Sequence, residues 1–549
     1  MIYISQYSQR VNLPNVIREG VNMPNVISLL ENNVVLEYDC LDRIFLNGYL
    51  PDLQTASQLS WFLTGHLSNE IPRYSVLGEK TRSFIKETEK IAKDNKIPII
   101  HFEKHTRKEA IAKPYFNTAK SEGMVLIGIS QEKSNTFRPI GKKEREPGKY
   151  SVTRASSYVN HYYFYILDNE FGPTFIKICS YAPFSIRVWL NGHEWLKKQL
   201  LKENIAYEEL DNGIFSCDSP TRLQEIADSL LSTNIQSYFN KWINRIPLPL
   251  TQYDREKGYT YNLSIMQLEI SKTQVFDRPI HGRQFFESVI KDNLDLGRPE
   301  KMQIIFHKRI PKYNNNKREI FRTRIFTQDT IPSIHIEHKR TSLKQYFKCG
   351  KALRTETTIN DARYFQVGKL LVNLNSLREI GKNINNNLIQ METAENCCTP
   401  SAATFESMIQ PTKDQNNRAP GLHFGDPRVV SVFAALCNFK FLISGITNKE
   451  LRPLVENHLG KTYTTRQMSY DLRRLKRKQL IRRIPNTNKY EITENGRKMI
   501  IFNTIMYQRV ICKTLAMTLS PYDRSKIATT WRHFDNEIKS HIQSLNIAA

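Results

Sequence analysis

The segment 343–359 holds the residues best suited to chemistry. Lys344, Tyr346 and Lys348 fall at every second position, so on a strand they share one face. After a turn at Cys349-Gly350, Arg354, Glu356 and Thr358 share a face of the returning strand. A tyrosine beside lysines, with a carboxylate nearby, has the parts of a nucleophile that attacks a phosphodiester. Tyr346 and Glu356 are therefore the candidate catalytic residues, with Lys344, Lys348 and Arg354 as nucleic-acid contacts. The plainer alternative is a solvated sheet face. Its cross-strand Lys–Glu and Arg–Glu pairs would each contribute about 0.2–1 kcal/mol.

A metal-dependent nuclease needs carboxylates converging on divalent ions. Asp39, Asp42, Glu132, Asp168 and Glu170 are acids beside predicted strands, and Asp168-Asn169-Glu170 also reads as a hairpin turn. Convergence is not visible in a sequence, so no residue is assigned to a metal and no cofactor is expected. If the protein is a nuclease, Mg²⁺ or Mn²⁺ is expected. His101, Glu103 and His105 alternate on a strand, but Ile97 and Ile99 continue that face towards a core.

The second constellation is cationic. Met468, Leu472 and Leu475 recur at helical spacing and anchor a helix by one side. Arg466, Tyr470, Arg473 and Arg477 form a stripe on another side. Two short strands flank Pro485-Asn486-Thr487-Asn488 and carry Arg482, Arg483 and Lys489. A major groove admits such a helix; Arg466 and Arg473 suit guanine edges, and the wing cations suit phosphates. Asp426-Pro427, Thr447-x-x-Glu450 and Thr464 or Thr465 mark three helix starts. The stretch Thr465–Gly496, "DLRRLKRKQLIRR…Y.IT.NG", resembles the recognition helix and wing of winged-helix transcription regulators. That resemblance spans about 90 residues and implies DNA binding.

The run "LKQYFKCGKALRTET" is similar to sheet strands of filamentous-phage-type rolling-circle replication initiators. The resemblance implies DNA nicking through a tyrosine, with a His-apolar-His metal site. The nearest histidines here are in His335-Ile336-Glu337-His338. On a strand they point to opposite faces and do not share one ion without a bulge.

These segments need a scaffold, and the composition supplies one. The chain has 549 residues, 40% hydrophobic and 24% charged. That excludes a disordered tail and a membrane protein. Its formal net charge of +25 calls for a polyanionic partner. Eight scattered cysteines without a C-x-x-C pair suit a reducing compartment, and the cytoplasm is expected. The apolar run Val429–Ile446 is interrupted by Asn438 and Lys440 and reads as a buried helix, so no membrane partner is expected.

The expected fold is α+β and multidomain. A small N-terminal α/β domain covers 1–130, with a hairpin at Asn47-Gly48. A basic loop covers 131–157 and carries Lys142 and Lys143. A central α+β antiparallel-sheet domain covers 158–385, with Tyr163 and Tyr165 on one face as a base-stacking candidate. A polar linker covers 386–420 and the winged helix 421–515. An amphipathic helix at 516–549 carries Ile527, Trp531, Phe534, Ile538, Ile542 and Leu545 at near-heptad spacing, a candidate homodimer seam.

The leading expectation is a nucleic-acid-binding replication, mobile-element or regulatory factor. DNA would bind through the winged helix, and RNA or a single strand through the sheet domain. The alternative is a metal-dependent nuclease or tyrosine strand-nicking enzyme. A third is an assembly protein whose charge packs a ribonucleoprotein.

Overall fold

The computed structural model describes residues 26–67, 75–140, 152–293, 302–305, 322–328, 331–394, 401–414, 417–438, 440–485, 487–512 and six positions between 529 and 540. Lys142 and Lys143 lie outside these residues, as do the six apolar positions of the expected C-terminal seam.

Strands β1 (Val34–Tyr49), β2 (Ile99–His101), β3 (Gly123–Pro139), β4 (Val152–Asp168), β5 (Gly172–Cys179) and β6 (Ile186–Asn191) come first. β7 (Tyr207–Glu209) and β8 (Ile214–Cys217) form a small separate hairpin. β9 (Asn262–Phe276), β10 (Met302–Ile305), β11 (Arg322–Gln328), β12 (Ile331–His338), β13 (Thr341–Lys348) and β14 (Ala352–Ile359) follow. All but β7 and β8 join one sheet in the order β10-β11-β12-β13-β14-β9-β1-β6-β5-β4-β3-β2. Only the pairs at its two edges, β10–β11 and β2–β3, are parallel.

The architecture is α+β. The sheet reflects period-two alternation: in β6, Ile186, Val188 and Leu190 are buried while Arg187 and Trp189 between them are half-buried. The helix Leu374–Ala394 packs on β9 and β14. A Cβ on its Gly381 would sit 2.6 Å from Ile270 Cδ1, so a larger residue would push the helix off the strand. On the same interface Asn385 Nδ2 donates to Ile270 O at 3.0 Å, and Gln345 Nε2 donates to Glu392 Oε2 at 2.9 Å.

Several boundaries differ from expectation. β1 lies between β9 and β6, so strands from before residue 130 and after residue 158 belong to one sheet. Asn47-Gly48 makes no hairpin, because β1 runs through it. Gly48 is small there because a Cβ would lie 3.0 Å from Ile186 Cβ. Much of the expected basic loop is strand: β3 and β4 stay in register from Leu126↔Tyr165 to Pro139↔Val152. The expected linker begins as the last residues of the helix Leu374–Ala394.

After the helix Ala402–Ile409, β15 (Thr412–Asp414) and β16 (Asn417–Ala419) come the helices Pro427–Leu436, Lys440–Ser444, Asn448–Leu459 and Thr465–Arg477. β17 (Ile481–Arg483) then pairs with β18 (Tyr490–Ile492), and the helix Glu494–Ile505 follows. The starts are set by side chains: Asp426 accepts from Arg428 N–H, Thr447 from Glu450 N–H, and Thr464 from Gln467 N–H. Gly460, at φ +67°, ends the second of these capped helices. Met468, Leu472, Leu475 and Leu480 are buried in one cluster with Phe433, Leu451 and Val455. This unit is tied to the β12–β13 turn of the sheet by a Lys339–Glu450 ion pair and to the helix Leu374–Ala394 by Arg497 donating to Asn387 and Gln390. Among the described residues no helix is long and apolar enough to cross a membrane.

Glu392 offers a stability test. Burial pushes its carboxyl up to about 8. Between the ordinary value near 4.5 and about 8, the folded protein keeps a proton that the unfolded chain sheds. Its contribution therefore falls as pH rises through that window. Glu392→Gln should melt higher than the parent at pH 8, and the two should converge near pH 5. Parallel melting curves across that range would contradict this.

Candidate active site

The site lies on one sheet face, where β12, β13, β14, β9 and β1 run side by side. The register sets Tyr346 opposite Arg354, Lys344 opposite Glu356, and His335 opposite Lys344. Glu269 sits opposite Arg43 on one side and Thr358 on the other. Asp42 continues the face of Tyr38 and Cys40, and a bulge beside it adds Arg43. Leu41 pairs with Ile270 and Arg43 with Glu269, so Asp42 is the extra residue and both it and Arg43 reach the same cavity. That cavity has a volume of about 420 Å³ and is also lined by Asn212, Lys348 and Glu337.

Three carboxylates meet at its floor. Oxygens of Asp42, Glu269 and Glu356 lie within 4.8 Å of one another, and all three residues are buried. Tyr346 Oη donates to Glu356 Oε1 at 2.8 Å. Lys344 Nζ stands 3.8 Å from the centroid of the Tyr346 ring. Tyr346 and Glu356, expected to act together, are in direct contact.

A buried cation organises these acids. Arg354 is 0% exposed. Its Nη2 pairs with Asp42 Oδ2 at 2.8 Å, and its Nε lies 3.1 Å from Glu356 Oε1. Asn212 Nδ2 donates to the other Asp42 oxygen at 2.6 Å. His193 Nε2 lies 2.5 Å from Arg354 Nη2 and 3.1 Å from Ser271 Oγ. Burial, then Arg354, push the His193 imidazole well below its ordinary value, so Nε2 is neutral and accepts the guanidinium proton.

The acids do not share the load equally. Burial, the largest single influence, would raise the Asp42 carboxyl, but Arg354 together with Arg43, the Asn212 hydrogen bond and other neighbours holds the group below the ordinary range. Burial, then the charges of Glu356 and Asp42, push Glu269 up to about 8. Glu269 keeps a proton and shares it with Glu356. Burial, then the Glu356 carboxylate, hold the Tyr346 phenol well above its ordinary value, so the resting tyrosine is protonated.

Two of the expected nucleic-acid contacts are corrected here. Arg354 touches no solvent and is an internal counter-ion. Lys348 is buried too, donating to Asn212 O at 3.0 Å and pairing with Asp211 at 3.6 Å. Lys344 stays half-buried at the cavity. His335 faces the cavity, whereas His338 is buried. Asp39 instead bonds Gln224 through its backbone, Glu132 pairs with Lys108 and Lys177, and Asp168 pairs with Lys241. Tyr163 and Tyr165, 7% and 4% exposed, offer no open stacking face. Asp42 was one of several strand-side acids in the sequence. Glu269 was not singled out, although a lone carboxylate in the run Leu268–Ile270 was a usable signal.

The second constellation is more than 100 residues away in sequence. Arg466, Tyr470, Arg473 and Arg477 are all exposed on the helix Thr465–Arg477. Tyr470 packs against Arg428, and Arg477 donates to Arg418 O at 3.1 Å. Arg482 and Arg483 are exposed on β17, Arg482 paired with Glu491. Lys489 is different. Its Nζ donates to Tyr364 O at 3.2 Å and lies 4.4 Å from the Tyr364 ring centroid. It is a contact between the hairpin and the rest of the chain rather than an open phosphate ligand.

No protein-family model and no curated protein matches the chain. One solved structure is similar in part, that of a rolling circle replication initiator protein from Geobacillus stearothermophilus. The match covers 78% of this chain and 99% of that one, at 8% identity and a TM-score of 0.20. A likeness at that score carries no weight for the function of this chain.

The Arg354 network has a measurable consequence. Arg354→Met keeps volume but leaves Asp42 and Glu356 buried without their cation. Breaking such a pair costs about 3–5 kcal/mol. Urea unfolding should register that loss, and a variant within about 1 kcal/mol of the parent would contradict the pairing.

Proposed function

We propose that the chain is a divalent-cation-dependent DNA strand-nicking enzyme with Tyr346 as nucleophile. The observation that carries this reading is the meeting, in one cavity, of the Tyr346 hydroxyl, its hydrogen-bond acceptor Glu356, and the further carboxylates Asp42 and Glu269.

The donor set fits a hard cation. Three carboxylates supply oxygen ligands, and the proton shared between Glu269 and Glu356 occupies a position of excess negative charge. Asp42, Glu269 and Glu356 would hold Mg²⁺ or Mn²⁺. The bound ion would polarise a phosphoryl oxygen and offset charge building up on it.

The chain's own groups account for the rest. Glu356 takes the phenolic proton as Tyr346 Oη bonds to phosphorus. The bond from phosphorus to one sugar oxygen breaks, and that oxygen leaves as a hydroxyl after taking a proton from water. The product is a phosphotyrosine ester, which keeps the energy of the cut bond for resealing. Lys344, beside the Tyr346 ring, suits the phosphate's charge.

The exposed arginine stripe supports a second component of the same reading. We read the unit 421–515 as a winged helix that anchors duplex DNA through Arg466, Tyr470, Arg473 and Arg477, with Arg482 and Arg483 on phosphates. A net charge of +25 agrees with a polyanionic partner.

Two experiments test these statements. Incubated with a single-stranded oligonucleotide and Mn²⁺, the parent protein should form a covalent adduct visible on a denaturing gel. Tyr346→Phe should abolish it, chelation should remove it, and Asp42→Asn should lower it at least about 100-fold, as for loss of a main electrostatic contributor. An undiminished adduct in Tyr346→Phe would rule out this nucleophile. In duplex binding, Arg473→Ala should relax base preference, at about 1–3 kcal/mol for the base it reads. Lys489→Ala should leave the salt slope of binding unchanged, since its cation is already engaged by Tyr364.

A further inference from the structure

The sheet face that carries Tyr346 continues past the carboxylates. Along β1 it presents Arg43, Phe45 and Asn47, and β6 answers with Asn191, Trp189 and Arg187 in register. Phe45 and Trp189 are half-buried, and so is Phe175 on β5. Trp189 stacks on Phe175 at 5.8 Å and an interplanar angle of 5°. Phe45 meets Phe175 edge-on at 6.4 Å. These rings occupy the open position that Tyr163 and Tyr165, covered by Phe102, do not.

Beyond the rings lies a separate cavity of about 170 Å³. Arg154, Arg187, Asn47, Ser134, Thr136 and Ser185 contribute to its lining, and no acidic side chain does. Arg187 Nη1 donates to Asn47 Oδ1, and Arg154 Nη2 to Gln54 O. Both partners are neutral. Among the described residues no carboxylate pairs with Arg187, and burial weighs against its charge. A half-buried guanidinium answered by an amide oxygen and no carboxylate, with hydroxyls only lining the space around it, is an incomplete arrangement. An anion of tetrahedral oxygens would complete it, bonding the arginines and hydroxyls together.

We propose that this arginine pocket is a backbone-phosphate subsite for the single strand whose cleavage is assigned to Tyr346. Phe45 and Trp189 form the stacking step between the two. Four residue steps along β1 separate Arg43, at the catalytic cavity, from Asn47, at the arginine pocket. At about 3.3 Å per residue that is about 13 Å, a span for a short run of nucleotides. Alternating cationic and aromatic groups are how sequence-tolerant sites hold unpaired strands. The assignment rests on the reading of the Tyr346 cavity as a DNA site, and its test avoids the chemistry.

The full chain carrying Tyr346→Phe is titrated with a single-stranded oligonucleotide of about twenty residues, in chelator, between ~50 and ~200 mM NaCl. Adding Arg187→Gln should weaken binding about three- to tenfold. It should flatten the plot of log affinity against log salt by about 0.7, the loss of one single-strand phosphate contact. Arg187→Lys should recover most of the slope. An unchanged slope in a normally melting Arg187→Gln protein overturns the proposal. So does an Arg187→Lys protein as impaired as Arg187→Gln, which would assign Arg187 to structure. Inorganic phosphate is the second probe. If it raises the melting temperature of the parent but not of Arg187→Gln, while the oligonucleotide slopes coincide, the pocket takes free phosphate and the strand assignment falls. Because no cleavage is scored, a failure of Tyr346 as nucleophile leaves all three measurements readable.

Discussion

The candidate site depends on one buried guanidinium. Arg354 has no contact with water, yet it lies against Asp42, Glu356 and His193. Without it, three carboxylates within 4.8 Å would repel one another in a medium that screens poorly. With it, Asp42 is held below the ordinary carboxylate range, Glu269 is pushed up towards keeping a proton, and Glu356 accepts the Tyr346 hydroxyl. The neutral His193 ring completes the cation's shell without adding charge. The same arrangement that makes this region stable fixes which acid the tyrosine hydroxyl donates to.

The sheet delivers these groups by different devices. Tyr346, Arg354 and Glu356 come from a hairpin, where register alone decides who faces whom. Glu269 arrives on the neighbouring strand. Asp42 follows Tyr38 and Cys40 onto this face by ordinary alternation, and the bulge after Leu41 keeps Arg43 and Phe45 on it as well. The opposite face takes the helix Leu374–Ala394 and is closed by apolar contact and by the Gln345–Glu392 pair. One side of the sheet therefore serves as a core wall, which leaves the other free to carry charge.

The positive charge divides between two roles. Some cations are consumed internally: Arg354 and Lys348 beneath the cavity, Lys489 against Tyr364, Arg497 against Asn387 and Gln390. Others reach the surface on the helix Thr465–Arg477, on β17, where Arg482 is paired with Glu491, and around the arginine pocket near Asn47. Both groups contribute identically to net charge, but the first are buried or half-buried and only the second includes exposed side chains.

The alternation of residues 343–359 determined the two strands and which of their residues share a face, because period two fixes faces; the contact of Tyr346 with Glu356 came from the register, which sets Tyr346 opposite Arg354 and Lys344 opposite Glu356. Caps at Asp426, Thr447 and Thr464 and the apolar spacing of 468–475 likewise determined the C-terminal helices. What they could not carry was anything fixed by partners far along the chain. Asp42 and Arg354 are 312 residues apart and bond only because β1 and β14 flank β9. The single sheet uniting strands from before residue 130 and after residue 158 is a matter of which edges meet. Whether Lys489 faces solvent depends on Tyr364, which local pattern does not reveal. Local periodicity sets faces and ends; tertiary pairing decided which charges were buried, which were shared, and where a phosphate could still reach one.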